Sequence, residues 1–170
     1  QYTHFTQMWD RLAEGYHCPI IQNNFELPAY RLLGNRDASD IHGRINFITR
    51  LNCKFYDYAN THTSFYIHDI QYLSACYGLD AWAEPSYWYL YKYALSVPAI
   101  PDFAYNLTRI IRSIYGKNKK VLALDLDNTL WGGVIGDDGQ EGIEIGHETS
   151  MGQAYEELQG YLKQQKKIGV

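Results

Sequence analysis

Two aspartates, Asp125 and Asp127, directly follow the apolar run Val-Leu-Ala-Leu at residues 121–124. A continuous apolar run of this kind is typical of a parallel strand that is covered on both faces. Ligands of open α/β sheets bind outside the carboxyl ends of the strands, so both carboxylates can face one crevice there. Neighbouring carboxylates repel each other unless a cation lies between them or one holds a proton. The spacing therefore predicts a Mg²⁺ site, because Mg²⁺ is commonly held by one or two carboxylates, water and substrate phosphate.

Two carboxylates can also divide the steps of phosphoryl transfer between them. One can attack phosphorus and form an aspartyl phosphate. The other can donate a proton to the leaving oxygen and later activate water. The Thr129 hydroxyl is available to hold the second aspartate, or to make a hydrogen bond at a helix start. The alternative is that Asp125 and Asp127 are loop or capping residues, but the apolar run before them and the Trp-Gly-Gly after them favour catalysis.

The elements that must position these residues alternate between strands and helices. The apolar periodicity and the turn residues predict helices over residues 6–16, 41–60, 70–77, 86–94 and 102–115, and strands over residues 18–23, 64–68 and 121–124. This alternation predicts the α/β class. The polar, glycine-started segment 116–120 reads as a linker, which divides the chain into domains 1–116 and 117–170.

The composition of the 170 residues narrows the classes of partner. The net charge is −4 and no basic stripe is present, which argues against nucleic acid or an anionic membrane surface as partner. No apolar run is long enough to span a membrane. Cys18, Cys53 and Cys76 are odd in number and form no C-x-x-C pair, so we expect reduced, buried thiols in a cytoplasmic protein.

Three other groups of residues allow a functional and a structural interpretation. His68 and Asp69 could form a catalytic dyad, but a strand end followed by a helix cap is the simpler prediction. The aromatic residues around Trp88 favour packing in a core or interface over a substrate pocket. Asp137 and Asp138 are expected to form a turn.

The pattern Asp-x-Asp-x-Thr at residues 125–129 resembles motif I of the haloacid dehalogenase (HAD) superfamily. The resemblance implies that Asp125 is the nucleophile and that Asp127 is the acid/base, with both residues binding Mg²⁺. It places Asn128 and Thr129 at the substrate phosphate. It further implies one helical turn at residues 130–133 and a β-hairpin flap formed by residues 134–139 and 142–145, with Asp-Gly as the turn.

Residues 120–146, KVLALDLDNTLWGGVIGDDGQEGIEIG, are similar to the FkbH-like family. Weaker matches precede them at residues 24–25, 33–35, 67–70 and 87–90. The family resemblance implies an SGNH-hydrolase-like α/β domain followed by the start of a HAD-like Rossmannoid domain: first strand, flap hairpin and helix. It also implies an Mg²⁺-dependent enzyme acting on a small phosphorylated metabolite. In characterised members a glyceryl group passes from 1,3-bisphosphoglycerate to an acyl carrier protein, with loss of phosphate.

The sequence departs from both family patterns. HAD enzymes also use a Ser or Thr, a Lys and a further acidic Mg²⁺ ligand from later strands, and SGNH hydrolases use a Gly-Asp-Ser nucleophile; neither set has a counterpart here. Both ends suggest a piece of a longer protein, so we expect the 170 residues to be inactive alone. Two alternatives remain: residues before Gly116 form a non-catalytic module that docks a carrier protein, or the protein is a simple phosphatase.

Overall fold

The structure is a computed structural model that describes residues 2–167. The chain divides into two compact units, the first ending at Gly116 and the second beginning at Lys117. Among the helices of the described residues, none is both long and apolar enough to cross a membrane.

The first unit contains six helices, two strands and two short 3₁₀ turns within its described residues. The helices are α1 (Tyr2–Tyr16), α2 (Arg44–Thr61), α3 (Ile70–Tyr77), α4 (Leu79–Trp82), α5 (Pro85–Tyr91) and α6 (Ile100–Ile114). The strands are β1 (Ile20–Asn23) and β2 (Phe65–His68), and the 3₁₀ turns span Gly34–Ala38 and Val97–Ala99. The predicted α/β class is confirmed.

Strands β1 and β2 run parallel, with Ile20 opposite Phe65 and Asn23 opposite His68. Parallel neighbours need a long crossover connection, and here that connection carries α2. The carboxyl ends of the two strands therefore meet at one edge of the sheet, where Asn24 and Asp69 follow them.

Helix α2 begins where it does because Asp37, a buried residue of the first 3₁₀ turn, satisfies its amino end. The Asp37 carboxylate accepts hydrogen bonds from the backbone N–H of Ile45 at 2.7 Å and of Leu33 at 3.3 Å. Gly43 precedes the helix, and a Cβ there would lie only 1.9 Å from the carbonyl oxygen of Asp37. Only glycine permits this close approach of the two backbones.

The main core is aromatic and centres on Trp9 of α1, which is fully buried against α2 and β2. Its ring meets Phe55 edge-on at 4.9 Å between centroids and Phe65 at 4.7 Å. The indole Nε1 donates a hydrogen bond to Oε1 of Gln22 at 2.8 Å, so the one polar atom of the ring is satisfied. A second cluster of Ile70, Trp82 and Ala99 packs the helices that follow β2.

The second unit contains α7 (Ile135–Gly142) and α8 (Ser150–Lys167) within the described residues. The strand predicted over residues 121–124 is wrong: the segment has no strand assignment, and Val121 is 79% exposed. A strand needs a neighbouring strand to satisfy its backbone hydrogen bonds. Within residues 2–167 the two strands pair with each other, and residues 121–124 belong to no sheet.

The flap hairpin predicted over residues 134–139 and 142–145 is also wrong, because residues 135–142 form α7. Asp138 Oδ2 accepts a hydrogen bond from the backbone N–H of Val134 at 2.8 Å, which satisfies a free amide at the start of the helix. Gly139 then kinks the helix at φ 66°, ψ 179°. One antiparallel residue pair, Gly132 with Glu144, closes the segment through backbone hydrogen bonds of 2.9 and 2.8 Å.

Two predictions about burial also need correction. Cys18, Cys53 and Cys76 are free but exposed. Trp88 and Tyr89 of α5 are 52% and 75% exposed, so they are not core residues, and the alternative of packing in an interface stays a prediction. The helix predicted over residues 86–94 is shorter in the structure, where α5 begins at Pro85 and ends at Tyr91. It ends there because Lys92 adopts a left-handed conformation at φ 60°.

Candidate active site

The predicted site residues lie together on one tight loop of the second unit. The backbone N–H groups of Thr129 and Leu130 donate to the carbonyl oxygen of Leu126 at 3.2 and 2.8 Å. A single turn therefore begins directly after Asp125, earlier than the turn predicted at residues 130–133. Asn128 sits in the left-handed region at φ 52°, a conformation that asparagine tolerates better than most residues.

Asn128 closes this loop through its side chain and its backbone. Its Oδ1 accepts a hydrogen bond from the backbone N–H of Gly133 at 2.9 Å. Its own N–H donates to the carbonyl oxygen of Gly133 at 3.3 Å. The side-chain oxygen is thus used for loop closure, which leaves the Asn128 amide NH₂ as the group that could meet a phosphate.

Asp127 is half-buried, and two donors orient its carboxylate. Its Oδ1 accepts hydrogen bonds from the indole Nε1 of Trp131 at 3.1 Å and from the backbone N–H of Ile135 at 3.2 Å. The first donor comes from the same loop and the second from the first residue of α7. Thr129 was predicted either to hold Asp127 or to make a hydrogen bond at a helix start, and among residues 2–167 no hydrogen bond joins its side chain to Asp127. The Thr129 side chain is half-buried, two residues after Asp127 in the sequence.

Asp125 is exposed, in contrast to Asp127. One of its oxygens, Oδ1, accepts a hydrogen bond from the backbone N–H of Leu126 at 2.8 Å. The carboxylate is thus held near its own backbone but open to solvent. A reacting phosphoryl group can reach an exposed carboxylate, whereas the more enclosed Asp127 is suited to a proton-transfer role.

Helix α8 and the segment before it support the loop from behind. Gln159 of α8 donates from Nε2 to the carbonyl oxygen of Leu130 at 2.8 Å. Thr149 donates to the Glu144 carboxylate and accepts the backbone N–H of Gly152 at 2.9 Å, the hydrogen bond expected of a helix N-cap. The turn that carries the aspartates is therefore joined to helix α8 through Leu130.

The oxygen donors of the loop fit Mg²⁺. In the part of the chain that the structure describes, no cluster of three or more His, Cys, Asp or Glu side chains could hold a metal. Mg²⁺ does not require such a cluster, since it keeps several waters and takes one or two carboxylates. Asp125 and Asp127 supply that number of hard oxygen ligands, and no soft sulfur or imidazole ligand stands on the loop.

Trp131 is the residue at this site that the sequence analysis missed. Its spacing of four residues from Asp127 was the available signal, because side chains four apart meet on one face of a helical turn. The indole N–H is a donor only, so its natural partner in such a turn is a carboxylate.

The dyad interpretation of His68 and Asp69 is not supported by the geometry, and the capping interpretation is confirmed. Oδ1 of Asp69 accepts the backbone N–H of Tyr72 at 3.1 Å, as an N-cap of α3 does. Nδ1 of the buried His68 lies 3.0 Å from Oδ1 of Asn23 instead. Burial lowers the pKa of His68, and the nearby Asp69 carboxylate opposes this only in part.

The carboxyl edge of the two-stranded sheet holds a polar network, but its members bind one another. Buried Asn24 donates to Oδ1 of Asp69 at 2.7 Å and to the Tyr56 hydroxyl at 2.8 Å. Buried Asn52 donates to Oε1 of Gln71 at 2.9 Å. This edge is where an α/β sheet would bind a ligand, yet here the side chains stabilise the loops that leave the strands.

Comparisons with known proteins agree with this architecture. The crystal structure of the N-terminal part of the protein BF1531 from Bacteroides fragilis, containing a phosphatase domain and complexed with Mg, is similar with a TM-score of 0.85 and 31% sequence identity. The similarity covers 99% of this chain and 45% of that chain, so the chain spans less than half of its relative. No curated protein matches the sequence.

Residues 3–112 match the family described as FkbH, N-terminal domain. The match covers more than half of the 170 residues. The chain therefore belongs to the FkbH N-terminal domain family.

Proposed function

We propose that this chain contributes the nucleophile and the acid/base of an Mg²⁺-dependent phosphotransferase of the HAD superfamily. One observation carries the proposal: on a single turn, the Asp127 carboxylate is oriented by two donors while the Asp125 carboxylate is exposed. Membership of the FkbH family and a relative that contains a phosphatase domain support it. We assign the first unit to an SGNH-like α/β region and the second to the start of a HAD-like domain.

In the proposed reaction, a carboxylate oxygen of Asp125 attacks phosphorus and forms an aspartyl phosphate. The bond between phosphorus and the leaving oxygen breaks, and Asp127 gives its proton to that oxygen. In the second step Asp127 takes a proton from an incoming water, whose oxygen attacks phosphorus. The Asp125–phosphorus bond then breaks and both carboxyl groups return to their starting states.

The protein residues that would hold Mg²⁺ are Asp125, through its carboxylate, and Asp127, through its backbone carbonyl. When bound, the metal stabilises the charge that builds on the phosphoryl oxygens. Asn128 and Thr129 are proposed to contact the substrate phosphate, with the Asn128 NH₂ as donor because its Oδ1 already binds Gly133.

Trp131 and the N–H of Ile135 give Asp127 its orientation. An acid/base must lie within hydrogen-bond reach of the oxygen that it serves, and a carboxylate held at one oxygen can present the other. Both donors bind Oδ1 of Asp127, which makes Oδ2 the atom we assign to proton transfer.

The substrate that we propose is a small phosphorylated metabolite. Because the chain is of FkbH type, the specific proposal is glyceryl transfer from 1,3-bisphosphoglycerate to the thiol of an acyl carrier protein, with loss of phosphate. Asp125 and Asp127 would transfer the ester phosphate of this donor to water. The carrier thiolate would attack the acyl carbon of the acyl phosphate, whose carbon–oxygen bond breaks and releases the second phosphate. A simple phosphatase would instead release phosphate to water without a carrier protein, and a docking module would bind a carrier protein without releasing phosphate.

The experiment measures phosphate release by the full natural protein that carries this chain. A panel of small phosphorylated metabolites is tested with Mg²⁺ or EDTA, and with or without acyl carrier protein. Asp125→Asn is compared with Asp137→Asn, since Asp137 is an exposed carboxylate of α7 outside the loop. We expect Mg²⁺-dependent release that Asp125→Asn abolishes and Asp137→Asn retains. Absence of release from every donor would refute the enzymatic proposal.

A further inference from the structure

A second candidate site lies in the first unit, in a cavity of about 420 Å³ between the start of α1 and the exposed face of α2. This volume is in the range of small-ligand pockets. Its walls combine the side chains of Tyr2, Phe47 and Leu51 with those of Arg50 and Lys54. The cavity therefore offers apolar surface and two positive charges in one place.

The two cations form no ion pair with the described residues. Arg50 and Lys54 are four residues apart on α2, so they lie on one helix face and repel each other. Within residues 2–167, no carboxylate lies within ion-pair distance of either one. A like-charged pair in this position lowers helix stability, and an anion between the two side chains would offset that loss.

The ammonium group of Lys54 is positioned by an aromatic ring. Its Nζ lies 5.1 Å from the centroid of the Tyr2 ring, over the ring face. Burial, followed by the carboxylates of Asp57 and Asp10, raises the pKa of Tyr2. The phenol hydroxyl can donate a hydrogen bond to an anion beside Lys54.

We infer that this cavity binds a small organic phosphate, with its phosphate between Arg50 and Lys54 and its apolar body against Phe47. Two positive charges match the charge of a phosphate monoester, which is close to −2 at neutral pH. Arginine and lysine are the side chains that proteins use for phosphate, the first through its planar fork and the second as a point charge. This site is separate from Asp125 and does not rest on the proposed phosphoryl transfer.

The test is calorimetric titration of the protein with phenyl phosphate in EDTA, which removes Mg²⁺ from any site at Asp125. The double variant Arg50→Gln/Lys54→Gln removes both charges. Its matched control, Arg109→Gln/Lys92→Gln, removes one arginine and one lysine that also lie over aromatic rings, those of Tyr105 and Trp88.

We expect phenyl phosphate to bind, the Arg50/Lys54 variant to raise the Kd by about tenfold or more, and the control variant to leave it unchanged. Inorganic phosphate should bind more weakly, because it cannot use the apolar wall. Asp125→Asn should not change the Kd. The inference is overturned by no binding, by an unchanged Kd in the Arg50/Lys54 variant, by equal affinity for inorganic phosphate, or by loss of binding in Asp125→Asn.

Discussion

The indole Nε1 of Trp131 donates a hydrogen bond to Oδ1 of Asp127 at 3.1 Å. This bond joins the second aspartate of the loop to the tryptophan that follows it by one turn. With the Ile135 N–H at 3.2 Å from the same oxygen, it orients a carboxylate that would otherwise rotate freely about its side-chain bonds. The arrangement makes Trp131 a positioning residue for the proposed acid/base.

Replacing Trp131 with Phe should therefore impair turnover more than substrate binding. The ring remains but the donor is lost, and a hydrogen bond to a charged group contributes about 1.5–3 kcal/mol. We expect kcat to fall by roughly tenfold or more, with KM nearly unchanged. Steady-state kinetics of Trp131→Phe beside Trp88→Phe, at an exposed tryptophan of the first unit, make the comparison. An unchanged kcat in Trp131→Phe would exclude the positioning role.

Replacing Gly132 with Ala should disturb the same loop from its other side. A Cβ at Gly132 would lie 3.0 Å from Cβ of Glu144 and 3.2 Å from Cε2 of Tyr155. The backbone pairing between Gly132 and Glu144 would have to shift, and with it the support of the aspartates. We expect Gly132→Ala to lower phosphate release several-fold, while Gly136→Ala, with no atom within 4 Å of its Cβ, retains activity. Equal activities in the two variants would contradict this view of the loop.

Asn52→Ala should destabilise the first unit. Buried Asn52 accepts the backbone N–H of Phe25 at 3.0 Å and donates to its carbonyl oxygen at 2.7 Å. Loss of both bonds leaves polar backbone groups without partners, at a cost of about 1–3 kcal/mol each. Chemical denaturation should show a free energy of unfolding lowered by about 2 kcal/mol or more, against less than about 0.5 kcal/mol for the exposed Asn60→Ala on the same helix. Similar losses in both variants would refute the role of Asn52.

Protonation of His68 should couple the stability of the first unit to pH. Burial lowers the pKa of His68 in the folded protein. In the unfolded chain the pKa of this histidine returns to its ordinary value of about 6.5, so near and below that pH the unfolded chain binds more protons than the folded protein. The contribution to stability is present above that value and is lost as the pH falls from there to the folded pKa. Denaturation at several pH values between 7.5 and 5 should give a shallower slope for His68→Asn than for the wild type; equal slopes would contradict the prediction.

The two strands and the helices of the first unit other than α4 were predictable because their signals are local. The apolar spacing of α2 and the cap and stop of α3 at Asp69 and Gly78 act within a few residues of each other. Residues 121–124 have the composition of a buried strand, but a strand also needs neighbours, and composition does not specify which neighbours are present. The same limit explains α7, where the Asp138–Val134 bond competes with the hairpin turn that Asp-Gly suggested.

The two aspartates of the candidate site were selected from their spacing alone, and their role stays a prediction, whereas the residues that contact them were not predicted. Asp125 and Asp127 have a spacing that points to phosphoryl chemistry without any structure. The donor to Asp127 was not predicted: only the Thr129 hydroxyl was considered, although the Trp131 indole N–H is a second donor close to Asp127 in the sequence. Backbone geometry decided between them: the turn over residues 126–130 places the indole, rather than the hydroxyl, against the carboxylate.

The most direct test of the central claim is detection of the covalent phosphate. The full natural protein is mixed with Mg²⁺ and a substrate from the release assay, quenched in acid and digested, and the peptide that contains Asp125 is analysed by mass spectrometry. We expect one added phosphoryl group on Asp125, present in a larger fraction of Asp127→Asn because breakdown of the intermediate is slowed, and none in Asp125→Asn. Mg²⁺-dependent phosphate release with no phosphoryl group on Asp125 in either the wild type or Asp127→Asn would refute the aspartyl-phosphate mechanism.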